Sequence, residues 1–473
     1  MLKYDPKGQL EPDLAESYDI SSDKTLYTFH LRKGVTWQDG QPFTANDVLF
    51  TINLITDPTY KSPLRANWQG VTAKVVDNYT ITFKLQNPYV GFPNNLTFGI
   101  LPQHLWDSVT SDNFPLNSLN LQPVGTGPYK YSSMQKDSDG NIISYSLVAN
   151  PNYFGGKPYI SKITFDFYSD ENSMLDAFNR KEITGISSLS PENVSNIKPI
   201  RSTNVYQFSI PRYFAVFLNQ TKSIPLANDE VRQALALATD RTEIINKVLD
   251  GYGQPVYAPI LSGMLGYDPN IGKTNVDIAK ANQLLDSHGW TKGSDGFRGK
   301  DGTALEINLV TTDWPELEQT AELLKEQWAK IGVKVNITTA SVSDIQQNYI
   351  RPREYDALLF GQVLGADPDP YSFWDSSQSK DPGLNLSLFG NSTTDQLIES
   401  GRTEFDPNKR AEIYKNFQNQ LTQAIPAVFL YSPTYIYPVG KSVQGIDATN
   451  IVSPNWRFAD INKWYIATKR VWK

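Results

Sequence analysis

Asp367 and Asp369 stand close together in residues 360–374, FGQVLGADPDPYSFW, and a pair of carboxylates is the constellation here that invites an acid–base reading. Residues 357–361 read as a buried strand, and 362–366 lie at its end, where open α/β sheets place ligands. Asp367 follows directly. It is either a ligand contact or a turn aspartate bonding its own backbone, because Pro368 comes next. Asp369 precedes Pro370 and reads as a helix N-cap with proline at the first helical position. That role accounts for the second carboxylate more simply than glycoside hydrolysis does. The histidines, His30, His104 and His288, show no metal-ligand spacing, and H-E-x-x-H, G-x-S-x-G and a P-loop are absent. No catalysis, no metal and no cofactor are therefore expected. Arg351 and Arg353, in IRPREYD, could clamp a carboxylate bidentately, but exposed loop charges are the simpler reading. Trp37, Trp68, Tyr371 and Trp374 offer faces for stacking on a sugar or side chain, and core packing is the better reading for each.

The elements that must position these residues belong to a long chain. At 473 residues it exceeds the size at which one core keeps growing, so two or more lobes are expected. A net charge of −7, from 43 basic and 50 acidic residues without a basic run, excludes a nucleic-acid partner. Cysteine is absent, so there is no disulfide, thiolate site or thiol nucleophile, which fits export without proving it. No apolar run approaches the roughly 18 residues of a membrane helix. Residues 1–5 run straight into folded-looking sequence.

Patterning supplies the elements. Tyr18, Asp19 and Ile20 form a short strand, and 25–31 alternate with Leu26, Phe29 and Leu31 apolar. Asp39-Gly40 marks a turn, and Thr44 with Asp47 makes a capping-box-like helix start. Residues 143–147 and 163–167 alternate as half-buried strands, and 173–179 are helical. Asn228-Asp229 caps a helix over 231–239, and Asp240 with Glu243 caps the next. Leu317, Ala321, Leu324 and Trp328 recur as one helical face that Gly332 ends, and Val333, Val335 and Ile337 follow as a strand. Asp406-Pro407 opens a helix holding Ile413, Phe417 and Leu421, and 427–431 form a buried strand after Pro426.

Several strings in order carry a resemblance: LAESYDISSDKTLYTFHLRKGVTWQDGQPFTANDVLFTI at 14–52, VGTGPY at 124–129, NPNYFGGKP at 150–158, Asn219 with VRQAL at 231–235, and AKANQLLDSHGW at 279–290 followed by Asp295-Gly296-Phe297. Their order and spacing resemble the family 5 extracytoplasmic solute-binding proteins, the dipeptide, oligopeptide and nickel receptors of ABC importers. The resemblance implies an α/β, bilobal periplasmic-binding-protein-like (Venus flytrap) fold: lobe I from 1–20, 125–217 and 432–473, an extra subdomain of lobe I at 21–124, and lobe II at 218–431. Aromatic extended crossings near 212–219 and 429–437 would form a hinge, and ligand would shift an open–closed population. It further implies a monomeric, non-enzymatic receptor that binds short peptides and delivers them to permease subunits, in the periplasm or on the cell surface by a lipid anchor. Asp367 would pair with the ligand's α-ammonium group, since a carboxylate in a low-dielectric site is a strong partner for it. Backbone groups at Val363 and Gly365 would pair with the peptide like an added strand, with Gln362, Leu364 and Tyr371 as further contacts. Two departures are visible. The family's opening strand is expected to be missing ahead of 8–15, GQLEPDLA, and Leu364 stands where oligopeptide receptors carry tryptophan. An oligosaccharide or nickel-chelate ligand on the same fold stays open, as does a structural or chaperone-like surface protein.

Overall fold

Alternating apolar residues dictate short strands along the first part of the chain. The computed structural model describes residues 1–198 and 200–467, and the chain divides into two compact units, Met1–Phe208 with Tyr435–Lys473, and Ser209–Thr434. Residues 468–473 of the expected lobe I span lie outside the described residues.

In the first unit, β1 (Leu2–Tyr4) pairs with β2 (Leu10–Pro12). Strands β3 (Ala15–Ile20), β4 (Leu26–Leu31), β5 (Thr72–Asp77) and β6 (Thr80–Lys84) form an antiparallel sheet in the order β3-β4-β6-β5. Its inward residues on β4 are Tyr27, Phe29 and Leu31, so Tyr27 replaces the expected Leu26. Neighbouring apolar residues left the period ambiguous, and the ring wins because it packs on Phe92 at 4.9 Å while its hydroxyl reaches the Tyr89 carbonyl at 2.9 Å. Because β3 is hydrogen-bonded to β4, the expected subdomain boundary at 20/21 falls inside a hairpin. Helix α1 (Ala45–Thr56) opens on the Thr44–Asp47 capping box, with the Thr44 N–H donating to Asp47 Oδ2 at 2.9 Å. Helix α2 (Gln103–Trp106), the meander β7 (Tyr129–Lys136), β8 (Ile142–Ala149) and β9 (Lys162–Asp166), helix α3 (Glu171–Asn179) and strand β10 (Thr203–Ser209) follow.

The second unit is built around a mixed sheet. Its elements are β11 (Arg212–Leu218), α4 (Asp229–Ala238), α5 (Arg241–Val248), β12 (Gly253–Pro255), α6 (Ile278–Ser287), a small sheet of β13 (Thr291–Lys292), β14 (Arg298–Lys300) and β15 (Thr303–Ala304), then β16 (Glu306–Thr312), α7 (Pro315–Ala329), β17 (Lys334–Ala340), α8 (Val342–Ile345), β18 (Ala357–Val363), α9 (Tyr371–Trp374), α10 (Ser392–Thr403), α11 (Pro407–Ala424) and β19 (Ala427–Gly440). Within this unit the strand order is β19-β11-β18-β16-β17, and β12 pairs with β19. Strand β16 runs parallel to β17 and β18, whereas β11 is antiparallel to β18 and β19. One sheet face packs on the expected α7 stripe, Leu317, Ala321, Leu324 and Trp328. The other packs on Trp374, Ile398, Phe417 and Leu421. Each fully buried side chain of this kind contributes roughly 1.5–3 kcal/mol. Gly332 ends the α7 turn at φ +80°, a left-handed conformation that favours glycine. The chain changes unit at 208/209 and 434/435. The expected first crossing, 212–219, therefore lies inside the second unit, because β11 is paired on both edges.

Candidate functional site

The carboxyl ends of β16 and β18 point to the same end of the sheet, and β11 starts there on the other side of β18: Arg212 pairs with Val363, and Tyr213 with Gln362. On the β16 side, β18 is paired only at Ala357, Leu358 and Leu359. Among the described residues, 360–363 thus have no strand on that side. The expected contact residues behave differently from one another. Val363 is 61% exposed and Gly365 is exposed. Leu364 is half-buried against the core, and its N–H donates to the Pro211 carbonyl at 2.7 Å. Gln362 is buried; its Oε1 accepts from the Tyr213 hydroxyl, and its Nε2 finds no acceptor. Burial pushes the Tyr213 pKa up, so this hydroxyl stays a neutral donor.

Asp367 is engaged within the fold. Its carboxylate is held bidentately by Arg410, with Nη1 donating to Oδ2 at 2.7 Å and Nη2 to Oδ1 at 2.6 Å. Oδ1 also accepts the Asp369 N–H at 3.0 Å. Arg410 is itself fixed: Nε donates to the Gly401 carbonyl at 2.8 Å, and Nη2 to the Tyr414 hydroxyl at 2.9 Å. Burial alone would lower the Arg410 pKa, yet its bonds to Asp367 raise it overall. Both oxygens of the Asp367 carboxylate thus already serve a guanidinium, and an ammonium at this position would have to share them. The sequence carried a sign of this. Arg410 shares the buried stripe of α11 with Tyr414, Phe417 and Leu421, and a cation on an apolar stripe needs a counter-charge.

Asp369 is bonded within the fold but is not the expected N-cap, because α9 starts one residue later than proline at its first position would place it. Pro370 is the N-cap, and Asp369 Oδ1 accepts the Tyr371 N–H at 3.1 Å. Its Oδ2 accepts from Arg402 Nε at 3.0 Å, and that guanidinium lies 4.1 Å from the centre of the Tyr371 ring. Tyr371 is thereby held in place, with its hydroxyl 3.2 Å from Ser377 Oγ. Asp369→Ala should cost about 0.5–2 kcal/mol in a denaturant titration, the range for a lost turn-capping carboxylate. Solute affinity should stay unchanged; a loss of affinity at full stability would make Asp369 a contact residue.

Arg353 is not an exposed loop charge. It is buried at φ +60°, donating to the carbonyls of Ser379 at 3.0 Å and Gly383 at 2.7 Å, while Arg351 is exposed. Trp37, Trp68 and Trp374 are buried core residues. His30 pairs with Asp19 and His104 with Asp39. Among the described residues, no group of His, Cys, Asp or Glu could hold a metal ion, and no helix is long and apolar enough to cross a membrane.

With this geometry described, comparison with known proteins gives the family. The profile described as "Bacterial extracellular solute-binding proteins, family 5 Middle" matches residues 9–385. The dipeptide-binding protein of Escherichia coli (strain K12) is 29% identical over 458 residues, covering 92% of this chain and 83% of that relative. The solved structure of the oligopeptide-binding protein AppA from Bacillus subtilis in complex with a nonapeptide matches with a TM-score of 0.77 at 26% identity, covering 99% of this chain and 92% of that one. The structure of NikZ from Campylobacter jejuni in complex with Ni(L-His) matches with a TM-score of 0.79 at 25% identity, covering 98% and 92%. A profile match over most of the chain, in the order of motifs described above, makes this chain a member of the bacterial extracellular solute-binding proteins of family 5.

Proposed function

We propose that the chain is the solute-capturing receptor of an ABC importer and that its solute is a short peptide. The observation that carries the reading is the open edge of β18 at 360–363, beside exposed Val363 and Gly365. An extended peptide laid there would gain main-chain hydrogen bonds independent of its side chains, which is how one receptor tolerates many sequences. Relatives named for dipeptide and oligopeptide binding support the same solute class. The role needs no catalytic group and no resident cofactor. It places the protein outside the cytoplasm, free in the periplasm or tethered by a lipid anchor, as a monomer that hands solute to permease subunits.

The test is to purify the protein from its host, release bound solute in acid and identify it by mass spectrometry, then titrate di- to nonapeptides by calorimetry. Released peptides and micromolar or tighter peptide binding are expected. Binding of an oligosaccharide or of nickel–histidine with no response to any peptide would replace the peptide reading.

A further inference from the structure

We infer that Arg212 is an anchor for a carboxylate of the solute, a role that rests on the receptor reading above. The inference begins with a contrast among arginines. Arg232, Arg241, Arg298, Arg353 and Arg410 are all buried, and each guanidinium is bonded to backbone carbonyls, three of them to carboxylates as well. Arg212 is half-buried, its Nε is sealed from solvent, and it forms no side-chain hydrogen bond or ion pair among the described residues. A guanidinium has five donors in a planar fork. Leaving such a fork half-desolvated and unmatched is unfavourable, and the position makes sense when a partner arrives from outside the fold.

The place suits such a partner. Arg212 opens β11 and pairs with Val363 at the carboxyl end of β18, whose opposite side carries no paired strand there among the described residues. It shares its sheet face with Phe214, whose ring centre lies 5.4 Å from the guanidinium carbon. Helix α7 begins nearby. Its N-cap, Trp314, is 47% exposed and provides no side-chain hydrogen bond to the first turn. The first turn of α7 carries Glu316 and Glu318, which already face its positive end, so the preference for an anion rests on the unmatched guanidinium. Glu316 and Tyr431 act on Arg212 through space, but Glu316 forms no ion pair with it. Burial pulls the Arg212 pKa down, so a bound carboxylate would offset a charge that the fold leaves uncompensated. A planar carboxylate, at the solute's C-terminus or on an acidic side chain, matches the fork bidentately.

Calorimetry on the full chain tests this with trialanine, trialanine amide and Ala-Glu-Ala amide, which all keep the same α-ammonium group. Wild type should bind trialanine at least tenfold more tightly than its amide. Equal recovery with Ala-Glu-Ala amide would assign the site to a side-chain carboxylate, and no recovery would assign it to the C-terminus. Arg212→Gln should erase the difference between acid and amide, and Arg212→Lys should keep part of it. Full discrimination in Arg212→Gln, or none in wild type for any of the three peptides, overturns the assignment. If wild type binds no peptide, the peptide reading falls. Arg212 is then judged by thermal shift with citrate: stabilisation of wild type that Arg212→Gln lacks upholds the anchor, and equal behaviour of the two proteins overturns it.

Discussion

Arg410→Met should destabilise the second unit by about 3–5 kcal/mol, the cost of leaving a buried carboxylate without its counter-charge. For a unit of this size that corresponds to a fall in melting temperature of about 10 °C. The reason is local. The Asp367 side chain is 17% exposed, and without Arg410 its carboxylate keeps only the Asp369 N–H as a donor among the described residues. The double variant Asp367→Leu/Arg410→Met removes both charges and should recover much of the loss, because well-packed apolar residues often replace a buried pair at little cost. Solute affinity in Asp367→Asn should stay within a few-fold of wild type. A denaturant midpoint unchanged in Arg410→Met, or a hundredfold loss of peptide affinity in Asp367→Asn, would return Asp367 to the role of ammonium anchor.

Gly401→Ala should cost about 2 kcal/mol, although alanine is the better helix former. A Cβ at 401 would stand 2.2 Å from Tyr414 Cε1, and Tyr414 is fully buried, so the ring cannot swing into solvent. Overpacking of this kind costs typically 1–3 kcal/mol, with close contact to a rigid ring at the upper end. The gain in helix propensity returns at most about 1 kcal/mol. The clash also displaces the hydroxyl that receives Arg410 Nη2, so the loss should be non-additive with Arg410→Met. A smaller residue at 414, as in Gly401→Ala/Tyr414→Leu, should relieve the overlap. Unfolding by urea measures each variant, and a stabilised Gly401→Ala would show that α10 and α11 have room for the added methyl group.

These effects explain what could be read without coordinates. Where the determinants are local, the sequence was sufficient. The Thr44–Asp47 box, the Leu317–Trp328 stripe and the Asp406 cap each involve residues within a few turns of one another. Strand β4 failed locally because Leu26 and Tyr27 are adjacent apolar residues, and only Phe92 and Tyr89, far along the chain, decide which one turns inward. The same limit applies to Asp367 at longer range. Asp367 lies in the loop after β18 and its partner Arg410 lies 43 positions away on α11, so strand-end placement alone points to a ligand and not to the matching charge. Arg353 is the same case, with carbonyl partners 26 and 30 positions along the chain. Nothing in the sequence near Arg212 distinguishes it from the buried arginines, whose acceptors lie far along the chain.

The exposure of Val363 beside Arg212, in a chain without a single cysteine, has a practical side. A thiol introduced as Val363→Cys would be the sole attachment point for a maleimide dye, with no background labelling to suppress. A polarity-sensitive fluorophore there would sit at the rim of the candidate site, and its emission would report solute arrival in real time. The same receptor would then serve as an optical sensor, reading solute concentration without a radiolabel or a coupled assay.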